Sequence, residues 1–552
     1  LQKQLDNLNQ QYTRNTEVRA DRAGRVVEVN TDLGALAERG ETLLVLEGEN
    51  AAGGYRFAAW TVSPADADLG ATFDPSNAVT QVTMPAQEVT VTPVYVPDVP
   101  VFPTLTPTAG VLFERDAGAG QRPAAFTASG LPRGLTINRV TGVITGIPSA
   151  PGTYTVLVTA RHADGTAVTY GVTVVVQALD AAAQGTFTGV LDLSLGEGQY
   201  QIKGTLTLKA SSKGKLSAKV TLQDLSLSFS GKSWTAKNED GAYIAQLTTR
   251  QGEQLELILE SDSGMMYGTL TGGRLAPDTT FNVTGQRNAF LDRTDAEAQA
   301  ILNAFKGYYT VALPMATCVT DPTTDNTQSG SGYVTVTVRD RGAVKVAGKL
   351  ADGTRVSFAT TLMVNGEVGI VPLFVRLYGK RGVFAGVLRV AGGTLPVDQR
   401  IEGFSGVQLD WIYPGRSRTL TGDRFDAQLE AFGAFYNSLN DLHAAYAGTL
   451  FTAEPFAWTP PVIPGTSGSL TIAPEPDNPG GVKLKTVKRS GLFSGSFKVL
   501  NETTGRFATL RYLGVLTRDG GTYVGDGAYV EKRSVNGYSL KSSRRVWIGQ
   551  EE

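Results

Sequence analysis

An all-β, multidomain chain is what this sequence predicts, and three observations carry that expectation. The 552 residues include 64 Gly and 25 Pro, set between short apolar runs, which suits turns and strand ends better than long helices. Apolar residues recur at every second position through most of the chain, as at Tyr154, Val156 and Val158, the period of a half-buried strand. The last two thirds of the chain also repeats itself at a domain-sized interval. The length is enough for about three to five domains, each with its own core.

Composition excludes whole classes of chemistry. Two His and one Cys leave no material for a Cys/His zinc cluster, an iron–sulfur site or a disulfide framework, so no cofactor is expected. Fifty basic residues against 52 acidic ones give a net charge of −2, which argues against nucleic acid as a partner. No apolar stretch reaches the length of a membrane-spanning helix. No basic segment followed by an apolar run opens the numbering, so an export signal is expected to have been removed or to lie outside this chain. Disulfide-free composition fits the cytosol or an exported bacterial protein. Neither GxxxxGK[ST] nor a strand-anchored GxGxxG is present.

Residues 1–23 open with Leu1, Leu5 and Leu8 at helical spacing, which predicts a short N-terminal helix. A β module is expected over 24–97, with Val27 and Val29, Leu44 and Leu46, Tyr55 and Phe57 alternating before Trp60. Here GYRFAAWTV (54–62) and VTMPAQEVTVTPVY (82–95) resemble the divergent internalin-type B repeat of bacterial surface proteins, over residues 24–96. Residues 18–47 also look like the lipoyl-like hairpin of secretion adaptor proteins; the single B repeat accounts for more of the strand order.

Pro97, Pro100, Pro103 and Pro107 then mark a stiff extended linker. A further module is expected over 98–178. Its motif runs Gly130-Leu-Pro, Gly134-Leu, Ile137, Thr141-Gly142, Ile144, Gly146 and Pro148, followed by Gly152-Thr-Tyr154. This pattern resembles the immunoglobulin-like, cadherin-like domain of bacterial surface and secreted proteins, over residues 99–177. The resemblance implies a β-sandwich, and the alternation of Val172, Val174 and Val176 after a hairpin at His162–Gly165 is compatible with one.

Three longer β units are expected at 185–306, 307–445 and 446–552. Opening strands recur as GTFTGVL, GYYTVAL and YAGTLF, and second strands as GTLTLK, GYVTVTV and GSLTIA. Glycine-started hairpins begin at Gly214, Gly342 and Gly491, and the aromatic-glycine strands MYGTLTGG, VFAGVLRVAGG and TYVGDGAYV follow. Between copies the period turns helical. Thr294 to Glu297 reads as a capping box before Ala298, Ile301, Leu302 and Phe305. Phe425, Leu429, Phe432, Phe435, Tyr436, Leu439 and Leu442 suggest a second connecting helix over 423–446. The repeat pattern resembles regions of large surface proteins of planctomycete and verrucomicrobial bacteria. The expected fold is thus an immunoglobulin-like β-sandwich plus antiparallel β-barrel or sandwich repeats with short connecting helices.

Candidate sites are few. His162 with Asp164 falls in a turn, and His443 at a helix end, so neither predicts a catalytic triad. Glu239-Asp240 and Asp410 are carboxylates without an identifiable second partner. Asp321 to Asn326 offers oxygen ligands without the EF-hand spacing, and Cys318 is read as a loop thiol. Val407, Leu409, Trp411 and Tyr413 share one strand face by period two, which favours packing; Trp411, Tyr413 and Arg416 are nonetheless the positions where a glycan or partner contact would fall. Lys541, Arg544 and Arg545 read as a solvated basic edge. The functional expectation is a non-enzymatic structural or adhesive component of the bacterial cell surface. It would partner with itself, with other surface proteins, or with surface glycans, the alternative being a glycan-binding accessory region of a secreted carbohydrate-active protein.

Overall fold

The computed structural model describes residues 18–19, 25–29, 42–47, 55–83, 89–97, 102–118, 125–163, 165–196, 198–320, 328–415, 424–437, 442–501, 505–535 and 538–550. The helix expected near the N-terminus, the Met84–Ala86 turn, Asp164, the 321–326 loop and Arg416 lie outside these residues. The described chain is nearly all strand, and it divides into two compact units, Leu1–Ala178 and Leu179–Glu552.

In the first unit, strand Thr42–Glu47 lies between Arg25–Val29 and Val79–Thr83, and strand Val89–Pro97 between Val18–Arg19 and Tyr55–Ser63. Trp60, Leu69, Val82, Val89 and Val91 form the buried core. Trp60 sits there because its indole N–H donates to the Asn77 carbonyl at 2.9 Å, which satisfies the ring's one polar atom.

The rest of that unit is a sandwich of two three-stranded sheets. One has Val143–Gly146 between Phe113–Asp116 and Leu135–Ile137; the other has Gly152–Arg161 between Ala125–Ser129 and Ala167–Val176. Alternate residues Val156, Val158, Ala160, Val168, Val172 and Val174 point inward with Phe126, as a two-layer core requires. Tyr170 joins them, stacked on Phe102 at 5.2 Å, and its hydroxyl donates to the Ala117 carbonyl at 2.6 Å. The glycines of the motif have a steric cause. Gly134 (φ +101°) and Gly146 (φ +138°) let two backbone segments touch: a Cβ on the first would lie 2.0 Å from the Ile147 oxygen, and on the second 2.1 Å from the Gly134 oxygen.

The second unit is three successive meanders, each with eight principal strands among the described residues and rolled up so that the first and last of these pair; the short strands Ala236–Lys237 and Met363–Asn365 add to the first and second. The first roll runs β1 (Gly185–Gly196), β2 (Gln199–Ala210), β3 (Leu216–Leu222), β4 (Ser226–Gly231), β5 (Tyr243–Thr248), β6 (Glu253–Leu259), β7 (Met265–Gly272) and β8 (Phe281–Arg287), with β8 on β1. Strand Ala236–Lys237 pairs with β5, and no ladder joins it to β4 among the described residues; side chains pack there instead, and a Cβ on Gly231 would lie 2.7 Å from Leu247. The second roll comprises β9 (Gly307–Leu313), β10 (Gly332–Val338), β11 (Ala343–Lys349), β12 (Arg355–Thr361), β13 (Val368–Leu377), β14 (Gly382–Gly392), β15 (Gln399–Gly403) and β16 (Phe432–Phe435). Strands Met315–Thr320, Asp410–Tyr413 and Phe425–Leu429 prolong β9, β15 and β16, and β16 pairs with β9.

In the third roll the order is β17 (Leu450–Ala453), β18 (Val462–Pro464), β19 (Leu470–Ile472), β20 (Lys483–Val487), β21 (Leu492–Asn501), β22 (Arg506–Asp519), β23 (Thr522–Val535) and β24 (Tyr538–Gly549). Here β24 pairs with β17, and the bridge Leu450↔Pro461 carries β17 to β18. The recurring sequence segments occupy different places in the rolls. The glycine-started hairpins are strands three and four in the first two rolls but five and six in the third. The aromatic-glycine strand is seventh in the first and third rolls and sixth in the second.

Both connectors differ from the sequence expectation. Helix α1 (Ala296–Phe305) is capped by the Asp295 carboxylate, which accepts from the Ala298 amide at 3.0 Å; the Thr294 hydroxyl instead donates to Asp292. Its Ala298, Leu302 and Phe305 join the core of the second roll, whereas Ile301 stays exposed. Residues 425–435 are two strands. Phe425, Ala427 and Leu429 are buried and Asp426 and Gln428 exposed, and Gly433 lies so close to β9 that a Cβ would meet the Thr310 oxygen at 2.2 Å. Phe425 and Leu429 satisfy both periods; pairing with Asp410–Tyr413 decides for the strand. Among the described residues there, α2 (Leu442–Ala445) is helical.

The β6 end of the first roll depends on Glu253, which is covered by its own partners. Its carboxylate accepts from Arg274 Nε at 2.6 Å, from the Arg274 amide at 3.1 Å and from the Thr249 hydroxyl. The Arg274 contact, ahead of the opposing effect of burial, brings the Glu253 pKa down to about 2 from 4.5. A depressed acid pKa contributes stability that is complete above the unfolded value and is lost as pH falls through the folded one. Glu253→Gln should therefore melt below the parent at pH 6, with the gap closing between pH 4.5 and 2; thermal denaturation across that range measures it. In the sandwich, Gly134→Ala or Gly146→Ala should cost at least about 1 kcal/mol through backbone strain and overlap. Gly165→Ala, at φ +88° with open space, should cost less, as read from protease sensitivity within residues 102–177.

Candidate functional site

The first and second rolls meet along outward-facing apolar residues, Val190 and Ile202 from one and Val383, Ala385 and Val387 from the other. The fit is incomplete and leaves a cleft of about 370 Å³, within the size range of small-molecule sites. Val190, Tyr200, Ile202 and Thr284 line one wall; Met363, Ile370, Val387, Phe404 and Val407 line the other. Edge strand Val407–Gln408 adds in parallel to β2, with Tyr200 opposite Val407, and the Gln286 side chain clamps both backbone polar groups of Val364 at 2.7 Å. These contacts hold the walls in register.

Among the described residues, one carboxylate lines the cleft. Asp192 is opposite Asn282 on β8 and opposite Ile202 on β2, and only 8 % of it is exposed. Asn282 Nδ2 donates to its Oδ1 at a long 3.3 Å. Burial raises its pKa, and the groups acting on it include no cation. Asp192 faces the cleft two residues after Val190, by the ordinary alternation of β1, and the β1–β2 ladder skips Lys203, a bulge in β2 that brings Ile202 out to the same wall.

Lys203 acts on a second cluster on the seam, and burial lowers its pKa despite Asp410 and Asp426 nearby. Asp410 is 5 % exposed with its pKa raised by burial; Gln201 hydrogen-bonds to it, and its Oδ2 has no hydrogen-bond partner among the described residues. Asp426 carries an ion pair with Arg424 at 3.1 Å. Lys203 acts through charge on Asp410 and Asp426, and no cation acts on Asp192 among the described residues.

The residues singled out from the sequence fall elsewhere. Trp411 is fully buried in the second roll, donating to the Tyr378 hydroxyl at 3.0 Å and edge-on to Phe425 at 4.7 Å. Tyr413 is buried and stacked on Phe425 at 5.0 Å. Neither presents a ring face for a sugar, so the glycan-contact reading of these two is corrected to packing. Val407 leaves their face because the strand breaks before Asp410, and it reaches the cleft instead.

Cys318 lies on strand Met315–Thr320, not in a loop, and burial pushes its thiol up to about 11. His162 occupies the hairpin, its amide donating to the Thr166 carbonyl at 2.8 Å; His443 Nε2 contacts the Ser469 carbonyl at 2.7 Å. Glu239 and Asp240 are in an exposed turn. Arg545 departs from the expected solvated edge: it makes a two-pronged pair with Asp526, which is fully buried, at 3.1 Å for each contact, and lies over the Trp547 ring. No group of three or more potential metal ligands occurs among the described residues, and no helix among them is long and apolar enough to cross a membrane. Sequence reasoning missed Asp192 and Asn282; the available signal was an Asp inside the otherwise apolar strand GVLDLSL.

Comparison with known proteins identifies one segment. Residues 88–177 match the family described as Putative Ig domain, which places this stretch among immunoglobulin-like β modules. The match begins one residue before strand Val89–Pro97, whose hydrogen bonds belong to the preceding sheet, so the family boundary and the ladder boundary differ by about ten residues. No curated protein matches the chain.

Trp411→Ala should destabilise the second roll by about 3–5 kcal/mol, as for other buried aromatic truncations. Chemical denaturation followed by tryptophan-independent far-UV circular dichroism measures the loss.

Proposed function

We propose that the chain is a non-enzymatic structural or adhesive component of a bacterial cell surface, binding other surface proteins or further copies of itself through its β modules. The carrying observation is the immunoglobulin-like match at residues 88–177 in a chain otherwise built of sheets and rolls. The resemblance of residues 24–96 to the internalin-type B repeat, and of the region after 185 to large planctomycete and verrucomicrobial surface proteins, supports the same reading. The test is protease shaving of intact cells of the source bacterium, with immunodetection of the chain in envelope and cytosolic fractions. Cleavage on intact cells and recovery with the envelope are expected. Recovery wholly in the cytosol, with protection until lysis, overturns the reading.

A further inference from the structure

We propose that the cleft between the first and second rolls binds a small organic cation, an apolar body carrying one primary ammonium group, with Asp192 as its counter-ion. The inference goes beyond the surface role above and does not depend on it.

Three observations carry it. The cleft is walled by aliphatic and aromatic side chains from both rolls and encloses about 370 Å³, room for a ligand of roughly ten to fifteen heavy atoms. Its carboxylate is more than nine-tenths buried, and its partner among the described residues is the Asn282 amide at 3.3 Å. A buried carboxylate without a cation is costly, and the nearest candidate in sequence, Lys203, acts on Asp410 and Asp426 and not on Asp192. A ligand ammonium placed against Asp192 would supply the missing charge, with the Asn282 amide orienting the carboxylate. Apolar walls would cover the ligand's body, and Tyr200, 40 % exposed, stands where the cleft opens. An anionic ligand would face Asp192 with no cation to offset it.

The test uses the whole chain and three probes with nearly the same apolar body: 2-phenylethylamine, 2-phenylethanol and 3-phenylpropionate, titrated by saturation-transfer NMR and calorimetry at pH 7. The amine should bind saturably and at least about tenfold more tightly than the carboxylate, the size expected of one charge-assisted contact. Asp192→Asn, nearly identical in shape, should remove that preference while leaving the alcohol's weak binding unchanged. Ile370→Trp, which fills the cleft from the opposite wall, should weaken all three probes. Amine binding should also fade as the pH is lowered and Asp192 takes up a proton. No saturable amine binding, equal binding of amine and carboxylate, or an amine preference that survives Asp192→Asn in a protein with parental circular dichroism overturns the proposal.

Discussion

Everything in the larger unit depends on pairing the first strand of each meander with its last. A sheet that stops after eight strands leaves two rows of unpaired amides and carbonyls, which invite edge-to-edge association. The ladders Phe187↔Arg287, Tyr309↔Phe435 and Phe451↔Ile548 join strands about a hundred residues apart, and among the described residues the break in each ladder falls inside the meander, where side chains pack across it. Each closure turns one face of its strands inward, and the period-two alternation then becomes a core. These contacts are distant in sequence, so closure entropy must be met before the interior packing compensates for it.

Closure also determines what the outer faces do. In an isolated roll, Ala312, Tyr333 and Val515 would be exposed; here they bury one another between the second and third rolls, as Val190 and Ile202 do with Val383 and Val387 between the first and second. Polar contacts hold these seams in register: the Thr517 hydroxyl donates to the Thr310 carbonyl at 2.7 Å, and the Tyr308 hydroxyl to the Ser490 carbonyl at 2.9 Å. The rolls therefore form one compact unit. The cleft at Asp192 arises at the same seam, where two convex surfaces meet around a bulge.

Much of the fold was legible in the residues. Alternation in GKLSAKV and GYVTVTV predicts strands that are observed, and the glycine pattern of residues 130–152 predicts a sandwich that the family match identifies. Legibility failed where two periods coincide. Phe425, Leu429 and Phe432 fit a helix, and only the ladder to Asp410–Tyr413 and the close approach of Gly433 to Thr310 exclude it. It failed again at Arg545, whose neighbours in sequence are basic while its partner Asp526 comes from the adjacent strand.

By itself the sequence determined the class of structure, because hydrophobic period and turn chemistry are local properties written residue by residue. It likewise excluded a Cys/His metal centre by composition. The tertiary structure decided the rest: which strands close each roll, which outer faces become seams, that Trp411 and Tyr413 are core, and that Asp192 meets a cleft while Lys203 does not. Those outcomes depend on which strands pair across long stretches of chain and, in the β1–β2 hairpin, on one skipped residue that sends the side chains of β2 to the opposite face.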